Sequence, residues 1–234
     1  MNLQELVNHT RCNILRDTAV PSLWTDSEIL RYLNQAVKEF AIRTHDIVDD
    51  TTPEVVDFVT VIGQQVYDLH PSIITVNEVG IVEYDLTDPQ NPVETNYSEL
   101  HDRTRRQLRR RYSKGRPCSY TAQVRTQSIR LDPIPDAVYN VEMVVARKPL
   151  QDMSHEKHVP EIDEQYHLNL CDFAAFRCLS NNKPEGADMA SGAEFKGLWD
   201  LAVRDAKRAI ANQRAGVNPM ARNNWTGKRY RAHG

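Results

Sequence analysis

Leu3, Leu6, Val7, Ile14 and Leu15 recur at the spacing of one helix face, which predicts an amphipathic helix over residues 2 to about 17. Pro21 closes the connection that follows it. The next start signal is complete. Thr25 is placed to cap, Glu28 stands three residues on as the other half of a capping box, and Trp24 is positioned to staple onto Ile29. Ile29, Leu30, Leu33, Val37, Phe40 and Ala41 then stripe one face of a helix of about five turns.

From Pro53 the period shortens. Residues 54–62, 64–69 and 73–85 are rich in Val and Ile and are separated by Gly63 and by His70-Pro71, so they read as antiparallel strands. Residues 85–94 read as a loop. Tyr97, Leu100, Leu108 and Tyr112 fall on one side of a short predicted helix. Strands resume over 119–125, 128–133 and 139–149, the last two joined by the turn Pro133-Ile134-Pro135-Asp136.

After Pro160 helical spacing returns, with Ile162, Tyr166, Leu170, Phe173, Ala174 and Phe176 in a run reaching about Ser180. Residues 181–186 read as a loop. A fourth helix is predicted over about 191–213, its apolar face made by Phe195, Leu198, Trp199, Ala202, Val203, Ala206, Ala209 and Ile210.

The expected fold is therefore α+β. Residues 1–50 and 158–213 are expected to form a four-helix bundle. A β-strand-rich subdomain, residues 51–157, is inserted between the second and third helices. An extended C-terminal arm covers 214–234, where the sequence loses its period, carries Gly and Pro, and is basic. Trp225 and Tyr230 within the arm, with arginines between them, have the composition of an interface anchor.

Composition sharpens this picture mainly through charge. The 234 residues are 40% hydrophobic and 26% charged, with a net charge of -3. That near-neutrality conceals segregation. Residues 44–102 contain thirteen Asp and Glu and no Lys or Arg, whereas residues 103–116 contain eight Lys and Arg and no acid. Residues 204–234 hold another eight bases against the single Asp205. Patterning of this kind governs association rather than core packing. Arg105 with Arg109, and Arg106 with Arg110, would be like-charged neighbours on a helix, each pair costing about 0.2–0.5 kcal/mol unless an anionic surface faces them.

Motifs for chemistry are lacking. His155 and His158 are three apart in a polar linker, not four apart with a Glu after the first, as a zinc-protease helix requires. No phosphate-binding glycine loop, dinucleotide fingerprint or nucleophile elbow occurs. The four cysteines form no CxxC pair, and Cys171 and Cys178 are expected to be free, buried thiols. No enzyme activity, cofactor or metal is expected. No run of eighteen apolar residues exists, so no membrane partner is expected either, and nothing at the N-terminus reads as a signal peptide. The arginines admit a second function, a DNA-binding packaging accessory protein held to phosphates with a strong salt dependence. The net negative charge and the absence of a helix-turn-helix, zinc or RNP-like pattern weigh against duplex binding as the main task.

Five features in order carry a resemblance: the helix over 24–40, Gly115-Arg116-Pro117 before a strand, the stretch 129–139, the helix opening at Pro160-Glu161-Ile162-Asp163-Glu164, and a closing helix with Trp199 that leads into a polar tail. This pattern resembles the head-to-tail connector adaptor proteins of tailed bacteriophages. The arginine block is not part of the likeness. The resemblance implies a structural virion protein, assembled in the bacterial cytoplasm and located in the neck. It forms a ring, commonly of about twelve copies, beneath the portal vertex. Its implied partners are further copies of itself, the portal protein, the next tail component (nozzle, stopper or tail terminator), and duplex DNA that passes through the lumen without sequence-specific binding. In that setting Arg222, Trp225, Lys228, Arg229, Tyr230 and Arg231 are expected to dock on the portal. Arg103, Arg105, Arg106, Arg109, Arg110 and Arg111 are expected to serve as the inter-subunit or channel segment, paired across subunits with the acid-rich stretch.

Overall fold

The computed structural model describes residues 1–85, 93–103, 113–181 and 186–214. The chain divides into two compact units: Met1–Asp46 with Met153–Gly234, and Ile47–Asp152. The mixed α+β class expected from the sequence is what the elements form.

The first unit is helical. Its helices are α1 (Leu3–Asn8), α2 (Asp26–Thr44), α3 (His167–Asn181) and α4 (Gly186–Arg214). Asn2 and Glu5 form a capping box at α1, and Thr25 and Glu28 form the expected one at α2. The first helix is not the single α-helix predicted over 2–17. After Asn8 it widens into a π-helix, His9–Leu15, that ends at Arg16 in the left-handed region with φ +53°. The carbonyl of Leu6 lies at this change. It accepts the Thr10 hydroxyl at 2.8 Å and stands 3.7 Å from the Cys171 thiol. A carbonyl with those neighbours accompanies the local widening of the helix. The connection to α2 is organised by the buried Asp17, which accepts from Leu23 N–H at 3.0 Å, Trp24 N–H at 3.1 Å and Arg11 at 3.1 Å.

The α3 helix packs on α1, α2 and α4. Trp199 of α4 is fully buried, with ring centroids 5.0 Å from Phe173 and 5.7 Å from Phe40, and Phe40 lies 5.0 Å from Tyr166. Of the eight residues predicted for the apolar face of this helix, Trp199, Val203 and Ala206 are buried, whereas Leu198 and Ala209 are exposed. The helix begins at Gly186, earlier than the predicted residue 191; most of the loop predicted over 181–186 (182–185) lies outside the described residues.

The second unit contains nine strands among the described residues: β1 (Val48–Asp49), β2 (Asp57–Val59), β3 (Val66–Asp68), β4 (Ile73–Asp85), β5 (Val93–Glu99), β6 (His101–Asp102), β7 (Ser119–Gln123), β8 (Ser128–Asp132) and β9 (Asn140–Arg147). One sheet runs β1-β9-β4-β5, with β2 also paired to β9, and the other runs β3-β8-β7-β6. The two sheets share a core, with Val79, Ile81, Val141 and Met143 from the first and Tyr67, Tyr120, Ile129 and Leu131 from the second.

Three sequence expectations change here. Residues 53–56 are a helical turn, with Pro53 at its first position and Val55 and Val56 buried, so the strand starts only at Asp57. Tyr97 belongs to β5 and Leu100 is buried in the shared core, so the predicted helix does not include them; Leu108 and Tyr112 lie outside the described residues. His101–Asp102, where no strand was predicted, forms β6 and pairs with β7 in parallel.

The edge at β1 is held by charge. Asp49 accepts Arg147 Nε at 2.5 Å and the N–H groups of Thr51 and Thr52, each at 3.0 Å. Burial alone would raise this carboxyl, but the Arg147 bond and the Thr51 and Thr52 bonds outweigh it and hold Asp49 well below the usual carboxylate range.

Candidate interaction surfaces

The arginine block is fixed at both ends. On one side the Arg103 N–H donates to Tyr120 O at 2.9 Å, and the Thr121 hydroxyl donates to the Arg103 carbonyl. On the other, Gly115 N–H donates to Ile134 O at 2.9 Å, while Ile134 N–H donates to Ser113 O at 3.1 Å. Arg103 thus follows β6 alongside β7, and residues 113–115 lie against the β8–β9 turn. Arg103 is the member of the predicted set that is described. Arg105, Arg106, Arg109, Arg110 and Arg111 lie outside the described residues, as do Arg222, Trp225, Lys228, Arg229, Tyr230 and Arg231 of the arm.

Arg116, the last base of the block, joins the acid-rich stretch directly. Its guanidinium lies 2.6 Å from Glu83 of β4 and 5.9 Å from the centroid of the Tyr139 ring. Both charged partners are substantially exposed, so the pair contributes at most about 1 kcal/mol. Its interest is directional: base block and acid stretch meet within one chain.

The strand registers reveal a surface that sequence order conceals. Asp57 pairs with Glu142, Glu142 with Gly80, and Gly80 with Glu99, so one row crosses β2, β9, β4 and β5 with three carboxylates on a single face. Glu78 lies two residues along β4 on the same face and accepts the Tyr97 hydroxyl at 2.6 Å. Burial, and after it the charges of this face, act on groups on and near the sheet. Burial, the Glu78 hydrogen bond, and the charges of Glu78, Glu99 and Glu142 push the Tyr97 phenol well above its ordinary value. Burial and then Asp102, Glu99 and Glu78 push Tyr120 up to about 12. Burial and then Glu142 raise Asp57. Glu142 was not part of the acid-rich segment noticed in the sequence, and only the register brings it there.

Other candidate chemistry is sparse. His155 and His158 stack with centroids 5.0 Å apart, and no group of three metal-ligating side chains occurs among the described residues. Cys171 and Cys178 are buried, and burial raises their thiols to about 11 and about 12. Cys12 and Cys118 are exposed. Among the described residues, no helix is long and apolar enough to cross a membrane.

A family model, described as SU10 adaptor protein, matches residues 1–223. The chain belongs to the SU10 adaptor family. Nearly the whole sequence lies within the match: the β unit, the described helices of the other unit, and the first part of the predicted arm. No curated protein matches the chain. The resemblance to phage head-tail connector adaptors is thereby supported at the level of the family, and the protein is a structural adaptor of a bacteriophage.

Proposed function

We propose that this SU10 family adaptor forms a ring of about twelve copies under the portal of the capsid, joins it to the tail, and lines the passage for DNA. The observation that carries the reading is the family match over residues 1–223. Charge gives it a mechanism. A wall past which duplex DNA slides must not bind phosphates, and a face bearing Glu78, Glu99 and Glu142 repels them. The arginine block then serves protein contacts, pairing with acids of neighbouring subunits as Arg116 does with Glu83 in its own chain. The basic arm, with Arg222, Trp225, Lys228, Arg229, Tyr230 and Arg231, docks on the portal, and the β unit meets its neighbours and the next tail component. The assembly takes place in the bacterial cytoplasm and ends in the virion neck.

Sedimentation of the purified chain with its portal, and separately with duplex DNA, tests this. Co-sedimentation with the portal and none with duplex at moderate salt is expected. Tight, salt-dependent duplex binding without portal binding would instead establish a packaging accessory.

A further inference from the structure

One end of the β unit is apolar and exposed. Val59, Val61, Ile62, Val66 and Val138 are each 50–62% exposed, and residues 58–67 contain no charge in a chain that is 26% charged. This tip is rigidly tied. The Tyr67 hydroxyl accepts Val61 N–H at 3.0 Å and donates to Gln64 O at 2.8 Å. Gly63, at φ +84°, donates its N–H to Pro135 O at 2.9 Å. The Thr60 hydroxyl accepts Tyr139 N–H at 2.8 Å and donates to Ala137 O at 3.2 Å, which sets Val138 beside the tip. An apolar patch on a fixed frame marks a contact surface, because little ordering entropy remains to be lost on binding. Its surroundings are mainly acidic: Asp57, Asp68 and Asp136 are exposed, and Arg130 stands opposite Val66 across β3 and β8.

The helical unit carries a feature of complementary character. A notch of about 320 Å³ lies between the end of α2 and α4, lined by Ile42, Arg43, His45, Val203, Arg204 and Lys207. Its apolar part is Ile42 and Val203. Arg43 is engaged by Asp200 at 2.8 Å and Glu39 at 3.6 Å. Arg204 and Lys207 are exposed and have no carboxylate paired to them among the described residues. An apolar knob with acidic flanks and a basic notch with a small aliphatic floor occur on the same chain.

We propose that the tip of one copy seats in the notch of a second copy, with Ile62 against Ile42 and Val203, and with Asp57 and Asp68 facing Arg204 and Lys207. The two patches differ, so the contact is heterologous and repeats head to tail, closing into a ring where the rotation per copy allows. The aliphatic centre supplies affinity, and the charged rim supplies orientation and salt dependence. The contact deepens the ring reading and rests on it for the requirement that copies assemble.

The test uses full-length chains with the exposed thiols removed (Cys12→Ser with Cys118→Ser). One preparation carries Ile62→Cys and the other Ile42→Cys. Mixed, assembled with the portal and treated with a short bis-maleimide, they are expected to give a cross-linked dimer that neither gives alone. Arg204→Glu with Lys207→Glu is expected to weaken self-association by about tenfold, and Asp57→Lys with Asp68→Lys in the partner copy to restore it. Rings visible by electron microscopy that neither cross-link nor respond to the reversals overturn this contact and leave the ring reading standing. Copies that never associate with one another, alone or on the portal, overturn both.

Discussion

The ring of Tyr97 fills the space over Gly80 on the neighbouring strand: a Cβ built on Gly80 would stand 2.2 Å from it. Glycine at this strand position leaves room for the close approach of an aromatic side chain, and its backbone dihedrals do not call for it. The Tyr97 hydroxyl is held in turn by Glu78 at 2.6 Å, so Gly80 fixes the geometry of the acidic face. Gly80→Ala should therefore displace Tyr97 and lower stability by about 1–3 kcal/mol in urea unfolding. In a Tyr97→Ala background the same change should cost much less, since the clash is gone. Equal costs in the two backgrounds would refute the packing account.

The Asp49–Arg147 pair predicts a pH dependence. A carboxyl depressed in the folded state contributes stability that is fully present above its unfolded value, about 3.9, and is lost as pH falls through the folded value. Asp49→Ala should cost about 3 kcal/mol at pH 7, because it removes the buried carboxylate that accepts the Arg147 guanidinium and the Thr51 and Thr52 N–H groups. The gap between wild type and variant should narrow steadily below about pH 4. A gap that stays constant from pH 7 to pH 2 would show that the pair does not hold this edge.

Replacing Arg105, Arg106, Arg109 and Arg110 together with Glu should abolish ring formation while leaving thermal unfolding of the chain within a few degrees. Raising the salt concentration should weaken wild-type rings in the same direction. Intact rings from the fourfold variant would remove the block from the subunit contact.

Truncation after Gln213 should leave both compact units folded, with an unchanged circular dichroism spectrum, and lose the portal in a pull-down. Retained capture would assign portal docking to other residues than Arg222, Trp225, Lys228, Arg229, Tyr230 and Arg231.

Local signals were legible in the sequence and long-range ones were not. The start of α2 could be read because Thr25 and Glu28 are three residues apart and bond only to each other's turn. The β4 strand could be read because its run of Val and Ile leaves no other period. The π-helical turn could not, since the carbonyl at its start, Leu6, faces a cysteine 165 residues away. Tyr97 and Leu100 fit a helical spacing as well as they fit the end of a strand, and only the packing of Leu100 into the sheet core decides between them. Charge segregation was visible along the chain, yet Asp57, Gly80, Glu99 and Glu142 share one row only through strand register, which no local pattern encodes. The same holds for Arg116 and Glu83: both charged segments stood out, and the pairing between them did not.

Assembly as a ring on the portal, around a passage for DNA, is the proposal on which the others depend. A cryo-electron microscopy reconstruction of the protein bound to its portal tests it most directly. The expected result is a closed ring of about twelve copies, coaxial with the portal, with the face of Glu78, Glu99 and Glu142 toward the lumen and the C-terminal arms on portal subunits. Isolated monomers scattered on the portal, or a ring whose lumen is lined by the arginine block in contact with DNA, would contradict it.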